Sequence, residues 1–210
     1  VTYGLEGGDV RGEITNNQVI VDETTVTLPL PGRHNAANFL AALAVAKVLQ
    51  IDWSCLNNGL VVDMPSGRSQ RHELPNDVVI LDESYNAAPE AMKAALYLLA
   101  ETPGKRKIAV LGAMKELGER SLQLHQEVGK LVGQLKIDLL IVLVDGEDAE
   151  AIARSAKDTA VESFSSREGI VERLREIVKA GDRILFKAAH SVGLDRVVNL
   201  FHADFVKLEK

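Results

Sequence analysis

Residues 78–111, VVILDESYNAAPEAMKAALYLLAETPGKRKIAVL, decide the fold of this chain. A short apolar run, Val78–Leu81, precedes a helix-favouring stretch, Pro89–Ala100, and a second apolar run follows at Ile108–Leu111. Apolar runs without alternation are typical of strands covered on both faces, and proline suits the first turn of a helix. The stretch therefore predicts a strand, a helix and a second, parallel strand.

The same alternation continues to the end of the chain. Further apolar runs lie at Leu139–Val144 and Ile184–Phe186, with a weaker one at Val161–Phe164. Helical stretches lie between and after them, at Leu122–Leu135, Ala149–Lys157, Arg167–Val178 and Val192–Phe205. This rhythm predicts an α/β domain over residues 77–210 with a doubly wound, mainly parallel, Rossmann-like sheet. In such sheets ligands bind beyond the carboxyl ends of the strands.

Residues 1–63 follow a different pattern. Apolar and polar residues alternate, and Ile14–Val21 predicts a hairpin that turns at two asparagines. An Ala-rich helix is expected over Asn35–Leu49, and a short second helix from Asp52. Residues 64–76, MPSGRSQRHELPN, contain proline and glycine but no apolar period. We interpret them as a linker between two domains.

Composition excludes several classes of protein. The net charge of −6 argues against a nucleic-acid surface, which needs clustered cations. No apolar run reaches the roughly 20 residues that span a membrane, and no signal peptide is present, so we expect a cytoplasmic protein without membrane insertion. We interpret Cys55, the single cysteine, as a small buried side chain. Because the sequence begins at Val1, we interpret it as a piece of a longer protein.

Polar side chains follow the predicted strands and form a candidate site. Asp82, Tyr85 and Asn86 follow the first strand, Glu116 follows the second in LGAMKELG, and Lys187 follows the last. Carboxylates, a lysine and helix N-termini on one edge could hold a phosphorylated ligand. A polar turn with a helix cap, and a lysine at the wet end of a strand, are the simpler alternatives. The histidines have no spacing that suggests a metal site, so no metal ligand is predicted in this chain.

Two other segments suggest nucleotide binding. Asn35 and Asn38 are three residues apart at a helix start and project to nearly the same side. Two carboxamides could bond the donor and acceptor edge of a purine, although an ordinary asparagine cap would give the same pattern. Arg68, in a glycine-containing loop, is a cation suited to a terminal phosphate, and an ordinary linker arginine is the alternative.

A receiver-type phosphoacceptor domain is the competing interpretation. Its acidic pair would be Asp82 and Glu83, its phosphoacceptor Asp145, its hydroxyl Ser165 and its lysine Lys187. This interpretation gives no purpose to residues 1–63. A non-catalytic partner-binding domain is a third possibility.

Four segments, in order along nearly the whole chain, resemble one family. They are PLPGRHNAANFLAALAVA at 29–46, SGR at 66–68, DESYNAAPEAMKAAL at 82–96 and LGAMKELGERSLQLHQEVG at 111–129. Together they resemble the Mur ligases. The resemblance implies an ATP-dependent amide ligase of peptidoglycan synthesis. It would add D-alanyl-D-alanine to a UDP-N-acetylmuramoyl-tripeptide through an acyl phosphate, using ATP and Mg²⁺, and we expect it to act as a monomer.

The resemblance also implies roles for individual residues. Asn35 and Asn38 would contact adenine, with His34 close to the nucleotide. Arg68 would reach the γ-phosphate and Asp82 the ribose hydroxyls. Tyr85 would lie near the nucleotide. Asn86 and Glu116 would contact the substrate, and Lys187 is a catalytic candidate together with Arg68. Residues 1–63 would be the end of a central ATPase domain, hinged at 64–76 to the carboxy-terminal domain.

The sequence departs from the family pattern in two places. The usual K-G-S-R after the last strand is Lys187-Ala188-Ala189-His190 here, which leaves the serine and arginine roles without a residue. No G-x-x-x-x-G-K followed by Ser or Thr occurs in the chain. We therefore expect the phosphate-binding loop and the magnesium ligands upstream of Val1, and we expect the chain alone to be inactive.

Overall fold

The computed structural model describes residues 1–22, 24–58 and 60–207. The chain divides into two compact units, Val1–Asp63 and Met64–Lys210. No helix of the described residues is both long and apolar enough to span a bilayer.

The first unit combines short strands with one long helix. Strands β1 (Tyr3–Gly4) and β2 (Val10–Arg11) are parallel, and β3 (Glu13–Thr15), β4 (Gln18–Val21) and β5 (Thr24–Thr27) form an antiparallel sheet. Helix α1 (Arg33–Val48) and a 3-10 turn (Ser54–Asn58) follow. Alternate residues of β4 and β5 join one side of α1 in a small apolar core.

Most of the predictions for this unit are confirmed. The hairpin forms between β3 and β4, and Asn16 takes the left-handed conformation, with φ of 56°. The short helix begins at Ser54 rather than at Asp52, whose carboxylate accepts hydrogen bonds from the Ser54 N–H and hydroxyl. The prediction that Cys55 is buried is wrong, because this residue is exposed.

The second unit is a six-stranded sheet with helices on both faces. Its strands are β6 (Gln70–Leu74), β7 (Val78–Asp82), β8 (Arg106–Leu111), β9 (Leu139–Leu143), β10 (Ala160–Phe164) and β11 (Asp182–Lys187). Its helices are α2 (Pro89–Glu101), α3 (Ser121–Gln134), α4 (Glu147–Ser155), α5 (Arg167–Ile177) and α6 (Leu194–Lys207). The strand order is β10-β9-β8-β11-β7-β6, and only β6 is antiparallel to its neighbour. The predicted doubly wound, mainly parallel fold is confirmed.

Chain direction explains which helices share a face. From β7 to β10 the chain moves one way across the sheet, and helix α3 contacts both α2 and α4. The return from β10 to β11 reverses this direction, and α5 contacts α6. Right-handed crossovers place helices on opposite faces when the direction reverses. Strand β11 therefore lies at the point where the winding switches, between β7 and β8.

Strand β6 corrects the predicted linker. Residues 70–74 pair with β7 along its whole length, from Gln70 opposite Asp82 to Leu74 opposite Val78. Five residues of the segment 64–76 therefore belong to the sheet. Because β6 runs antiparallel, its first residue lies at the carboxyl end of β7, and the loop before it reaches the edge at which ligands bind in such folds.

The strand order does not favour the receiver interpretation. Receiver domains have the order 2-1-3-4-5, in which the first and third strands are neighbours. Here β7 and β9 are separated by both β8 and β11. Asp145 instead accepts a hydrogen bond at 3.0 Å from the Lys115 ammonium group, on the loop after β8.

Candidate functional site

The candidate site in the second unit begins where β7 ends. Asp82, the last residue of β7, is buried, and its Oδ1 accepts a hydrogen bond from the Ser84 N–H at 3.0 Å. The next amide, of Glu83, donates to the carbonyl of Phe186 at 3.0 Å and keeps the chain against β11. The carboxylate of Asp82 is therefore fixed at the carboxyl edge of the sheet.

The loop before β6 is bonded to the loop after β7. The Tyr85 N–H donates to the carbonyl of Gly67 at 2.9 Å. Gly67 has a φ of +75°, and a Cβ at this position would lie 2.9 Å from the Tyr85 nitrogen. Only glycine meets both conditions without strain. This contact brings the neighbouring Arg68 to the side chain of Tyr85.

Arg68, Tyr85 and His190 form a stack of three side chains at this edge. The guanidinium carbon of Arg68 lies 4.0 Å from the centre of the Tyr85 ring, a cation–π geometry. The imidazole of His190 is 5.4 Å from the same ring, tilted by 33°. All three residues are exposed, so a ligand at this edge could reach them.

Lys187 ends β11 and is only 4% exposed. Its ammonium group donates to the carbonyls of Asn86 at 3.0 Å and Glu83 at 3.4 Å, and lies 4.0 Å from the Glu83 carboxylate. Burial lowers the pKa of Lys187, while the carboxylates of Glu83 and Asp82 act in the opposite direction. The lysine thus ties the loop after β7 to the central strand of the sheet.

Two buried polar atoms beside Asp82, the Ser84 hydroxyl and the His72 Nε2, have no hydrogen-bond partner among the residues that the structure describes. The His72 nitrogen is 3.9 Å from the Asp82 carboxylate, and its ring centre is 5.0 Å from that of His202. Burial lowers the pKa of His72, His202 lowers it further, and Asp82 opposes the shift. Unpartnered buried polar atoms are uncommon in folded proteins, so this corner of the edge is incompletely satisfied.

The loop after β8 is held by a buried histidine. The Met114 N–H donates to His125 Nε2 at 2.8 Å, which leaves the proton on Nδ1, 2.7 Å from the Ser121 carbonyl oxygen. Glu116, on this loop, is exposed with a φ of 65°.

The remaining predicted residues lie in the first unit, on the first turns of α1. The Asn35 side chain donates to the carbonyl of Pro31 at 2.8 Å, an interaction that holds the helix start. Asn38 is exposed one turn later, and His34 lies just before Asn35. The structure therefore groups Arg68, Tyr85 and Asn86, on two neighbouring loops of the second unit, with Asp82 and Lys187 at the ends of β7 and β11.

Three histidines at or behind this edge were not predicted as site residues. In the sequence, His72 lies in a segment without apolar period, His125 is a lone helical histidine, and His190 stands at a departure from a family motif. Their positions near the carboxyl edge depend on contacts between distant parts of the chain, which a local sequence pattern does not show. Residues 1–22, 24–58 and 60–207 contain no cluster of three or more His, Cys, Asp or Glu side chains that could hold a metal ion.

Comparison with known proteins identifies the family of the segment that carries this geometry. A family model described as "Mur ligase, glutamate ligase domain" matches residues 67–190, which include every residue of the grouped site. The chain belongs to the Mur ligase family. The match runs from the glycine that contacts Tyr85 to the histidine that stacks on it.

Several Mur ligases are similar over nearly the whole chain. The UDP-N-acetylmuramoyl-tripeptide–D-alanyl-D-alanine ligase of Synechocystis sp. is 48% identical over 204 residues, covering 97% of this chain and 45% of the relative. The Escherichia coli enzyme of the same name is 36% identical over 176 residues, covering 82% and 38%. The crystal structure of MurF ligase from Thermotoga maritima in complex with ADP matches with a TM-score of 0.80 and 32% identity, covering 98% and 48%. The chain thus spans about half the length of these relatives.

Proposed function

We propose that this chain forms part of an ATP-dependent ligase that adds D-alanyl-D-alanine to a UDP-N-acetylmuramoyl-tripeptide. The observation that carries the proposal is the stack of Arg68 on Tyr85 at the carboxyl edge of the sheet, beside Asp82 and Lys187. The chain that carries this stack is 48% identical to a ligase of this name. A neighbour of the same kind was solved with ADP, which supports a nucleotide as one ligand.

The proposed reaction activates a carboxylate with ATP. A carboxylate oxygen of the tripeptide attacks the γ-phosphorus, the bond to the β-phosphate oxygen breaks, and ADP leaves. The amine of D-alanyl-D-alanine then attacks the acyl phosphate carbon and loses a proton. The resulting tetrahedral intermediate expels phosphate and leaves an amide. Positioning and neutralisation of charge supply most of the catalysis in reactions of this kind.

Within the proposal each residue of the edge has a role that suits its chemistry. Arg68 is an exposed cation on a loop and would neutralise charge on the terminal phosphate. Asp82 is a fixed carboxylate and would accept hydrogen bonds from ribose hydroxyls. Tyr85 would lie near the nucleotide and Asn86 near the dipeptide. Lys187 holds the carbonyls of the loop that carries both, so its role would be to position them.

Other predicted contacts belong to the same proposal. Asn35 and Asn38 would contact adenine with His34 nearby, and Glu116 would contact substrate. Mg²⁺, which would accompany ATP, is part of the proposal as a cofactor. A monomer in the cytoplasm is also part of the proposal.

A graft tests the function directly. The matched segment of the Synechocystis ligase would be replaced by this chain, and amide product would be measured by mass spectrometry with ATP, UDP-N-acetylmuramoyl-tripeptide and D-alanyl-D-alanine. We expect the amide, and its formation should depend on all three substrates. As a control for the junctions, a second graft would carry the matched segment of the Bacillus subtilis ligase, which is only 29% identical to this chain.

The two grafts together make a negative result informative. If the Bacillus graft forms the amide and a folded graft of this chain does not, the proposal is wrong. The isolated chain, assayed in parallel, should form no amide, and measurable product from it would contradict the prediction that it is inactive alone.

A further inference from the structure

We infer that His190 is a positioning residue, whose ring holds Tyr85 in the orientation that places the Arg68 guanidinium. The inference rests on the proposed function, since Arg68 is the group that would meet the terminal phosphate. It assigns a role to the residue that stands where the family motif K-G-S-R has arginine.

The backbone that carries His190 is rigid. The turn after β11 is closed by the Val192 N–H bonding to the Ala189 carbonyl at 2.9 Å and the Gly193 N–H bonding to the His190 carbonyl at 3.0 Å. Arg167 donates two hydrogen bonds to the Val192 carbonyl, at 2.9 and 2.6 Å. Arg167 therefore ties the carboxy-terminal end of the turn to another part of the second unit.

The other side of this turn packs against the loop after β8. The Ala189 N–H donates to the Ala113 carbonyl at 2.9 Å. A Cβ on Gly112 would come within 2.8 Å of Val192 and 3.0 Å of Ala188. Little freedom is left for the turn to shift, so the His190 ring projects from a fixed point.

Arg68 and Tyr85, in contrast, depend on the stack for their orientation. Both are exposed, and the loop that carries Arg68 is held to the loop after β7 by the hydrogen bond from the Tyr85 N–H to the Gly67 carbonyl. Aromatic rings at 5.4 Å with a tilt of 33° are within the range of favourable offset pairs. Fixing the ring of Tyr85 also fixes the surface over which the guanidinium of Arg68 lies, 4.0 Å away. His190 therefore orients the ring of Tyr85, and the ring of Tyr85 in turn orients the guanidinium of Arg68.

Stacking, rather than hydrogen bonding or charge, is what the inference assigns to His190. Two substitutions separate these properties. His190→Phe keeps an aromatic ring and removes both nitrogens, while His190→Gln keeps polar atoms and removes the ring. Ser191→Ala, an exposed position on the same turn, is the matched control.

The first experiment uses the isolated chain and does not depend on ligase activity. Protons of the Arg68 side chain over the Tyr85 ring should show upfield ring-current shifts in NMR spectra. We expect these shifts to move toward random-coil values in His190→Gln and to persist in His190→Phe and Ser191→Ala, with unchanged melting temperatures. Equal shifts in all variants would overturn the inference.

The second experiment measures turnover in the graft with the Synechocystis ligase. His190→Gln should lower kcat about 3- to 10-fold, the range expected for one aromatic pair, with a smaller change in KM for ATP. His190→Phe should keep most of the activity. If His190→Gln is active and His190→Phe is not, the polar atoms matter and the inference is wrong. An inactive graft with intact ring-current effects would instead contradict the proposed function.

Discussion

The two edges of the same parallel sheet bury charged groups in opposite ways. At the amino edge, Asp182 accepts hydrogen bonds from the Arg106 guanidinium at 3.1 and 2.6 Å and from the Lys179 N–H at 2.8 Å. Arg183, also buried there, bonds to the Pro103 carbonyl and to the carbonyl and carboxylate of Asp77. Every one of these charged groups has a close, oppositely charged or strongly polar partner.

At the carboxyl edge the pairing is incomplete. Lys187 bonds to carbonyls while its nearest carboxylate oxygen is 4.0 Å away. The Ser84 hydroxyl and His72 Nε2 have no hydrogen-bond partner in the part of the chain that the structure describes. Paired buried groups serve folding, whereas unsatisfied ones concentrate at sites where a ligand completes them. The Thr159 hydroxyl, directly before β10, also has no hydrogen-bond partner among the described residues, so the contrast concerns the charged groups. We infer that those of the amino edge stabilise the sheet and that the carboxyl edge is where a ligand would bind.

The largest expected effect on stability is at the amino edge. Asp182→Ala removes the carboxylate acceptor of the Lys179 N–H and of the Arg106 guanidinium, which keeps only the Ile177 carbonyl. We therefore expect a loss of about 3 kcal/mol in the free energy of unfolding. Denaturant unfolding of the isolated chain followed by circular dichroism measures it. Asp204→Ala, which breaks a more exposed pair with Arg175, should cost less than about 1 kcal/mol. Equal losses of unfolding free energy in the two variants would contradict the claim that the paired charges of the amino edge stabilise the sheet.

At the carboxyl edge the corresponding loss should appear in turnover. Arg68→Ala in the active graft should lower kcat roughly 100-fold, because a cation at the transferring phosphate acts mainly in the transition state. The KM for ATP should change much less, since the same cation adds little to the binding of ground-state ATP. Steady-state kinetics with varied ATP give both constants. A raised KM with unchanged kcat would contradict the γ-phosphate role.

Gly67 connects stability to the site. Gly67→Ala combines a positive φ with a Cβ 2.9 Å from the Tyr85 nitrogen, so we expect a loss of about 2–3 kcal/mol. Gly118→Ala is the control, because its φ is +59° but the space around it is open. It should cost only about 1 kcal/mol. Thermal and denaturant unfolding of both variants separate the cost of the positive φ from the cost of the close contact. Equal losses would mean that the contact with Tyr85 adds no cost.

The smallest effect is a pH dependence. The pKa of His72 is lowered by burial and by His202, against the attraction of Asp82. His72 therefore takes up a proton more readily in the unfolded chain than in the folded chain. The free energy of unfolding falls as the pH drops below 6.5, the ordinary pKa of histidine. His72→Gln should reduce this loss between about pH 7 and 5. The free energy of unfolding would be measured against pH for the wild type and for His72→Gln. The same dependence on pH in both proteins would contradict this prediction.

The sequence predicted most of the fold because the parallel strands are apolar on both faces. Val78–Leu81, Ile108–Leu111 and Ile184–Phe186 all lie within strands of the sheet. Strand β6 was missed because Gln70–Leu74 contains one apolar residue, Leu74, and forms a strand only through its pairing with β7. Such an edge strand has no hydrophobic pattern to detect.

Because β6 is not predictable from the sequence, part of the site is not predictable either. Arg68 and Tyr85 were both candidates, but their contact depends on the antiparallel direction of β6. Lys187 was predicted as catalytic, and the structure places its ammonium group on the carbonyls of the loop that carries Tyr85 and Asn86. The place of His190 in the stack depends on a turn whose hydrogen bonds join distant segments, which no local pattern reveals.

Lys187→Met tests the division between the two edges most directly, with stability and turnover measured on the same graft preparation. We predict roughly 100-fold slower amide formation, because the loop that Lys187 holds would shift. The loss of unfolding free energy should be smaller than that of Asp182→Ala, because Lys187 bonds two neutral carbonyls and lies 4.0 Å from its nearest carboxylate oxygen. A variant that is destabilised as much as Asp182→Ala but retains full turnover per folded molecule would contradict the account.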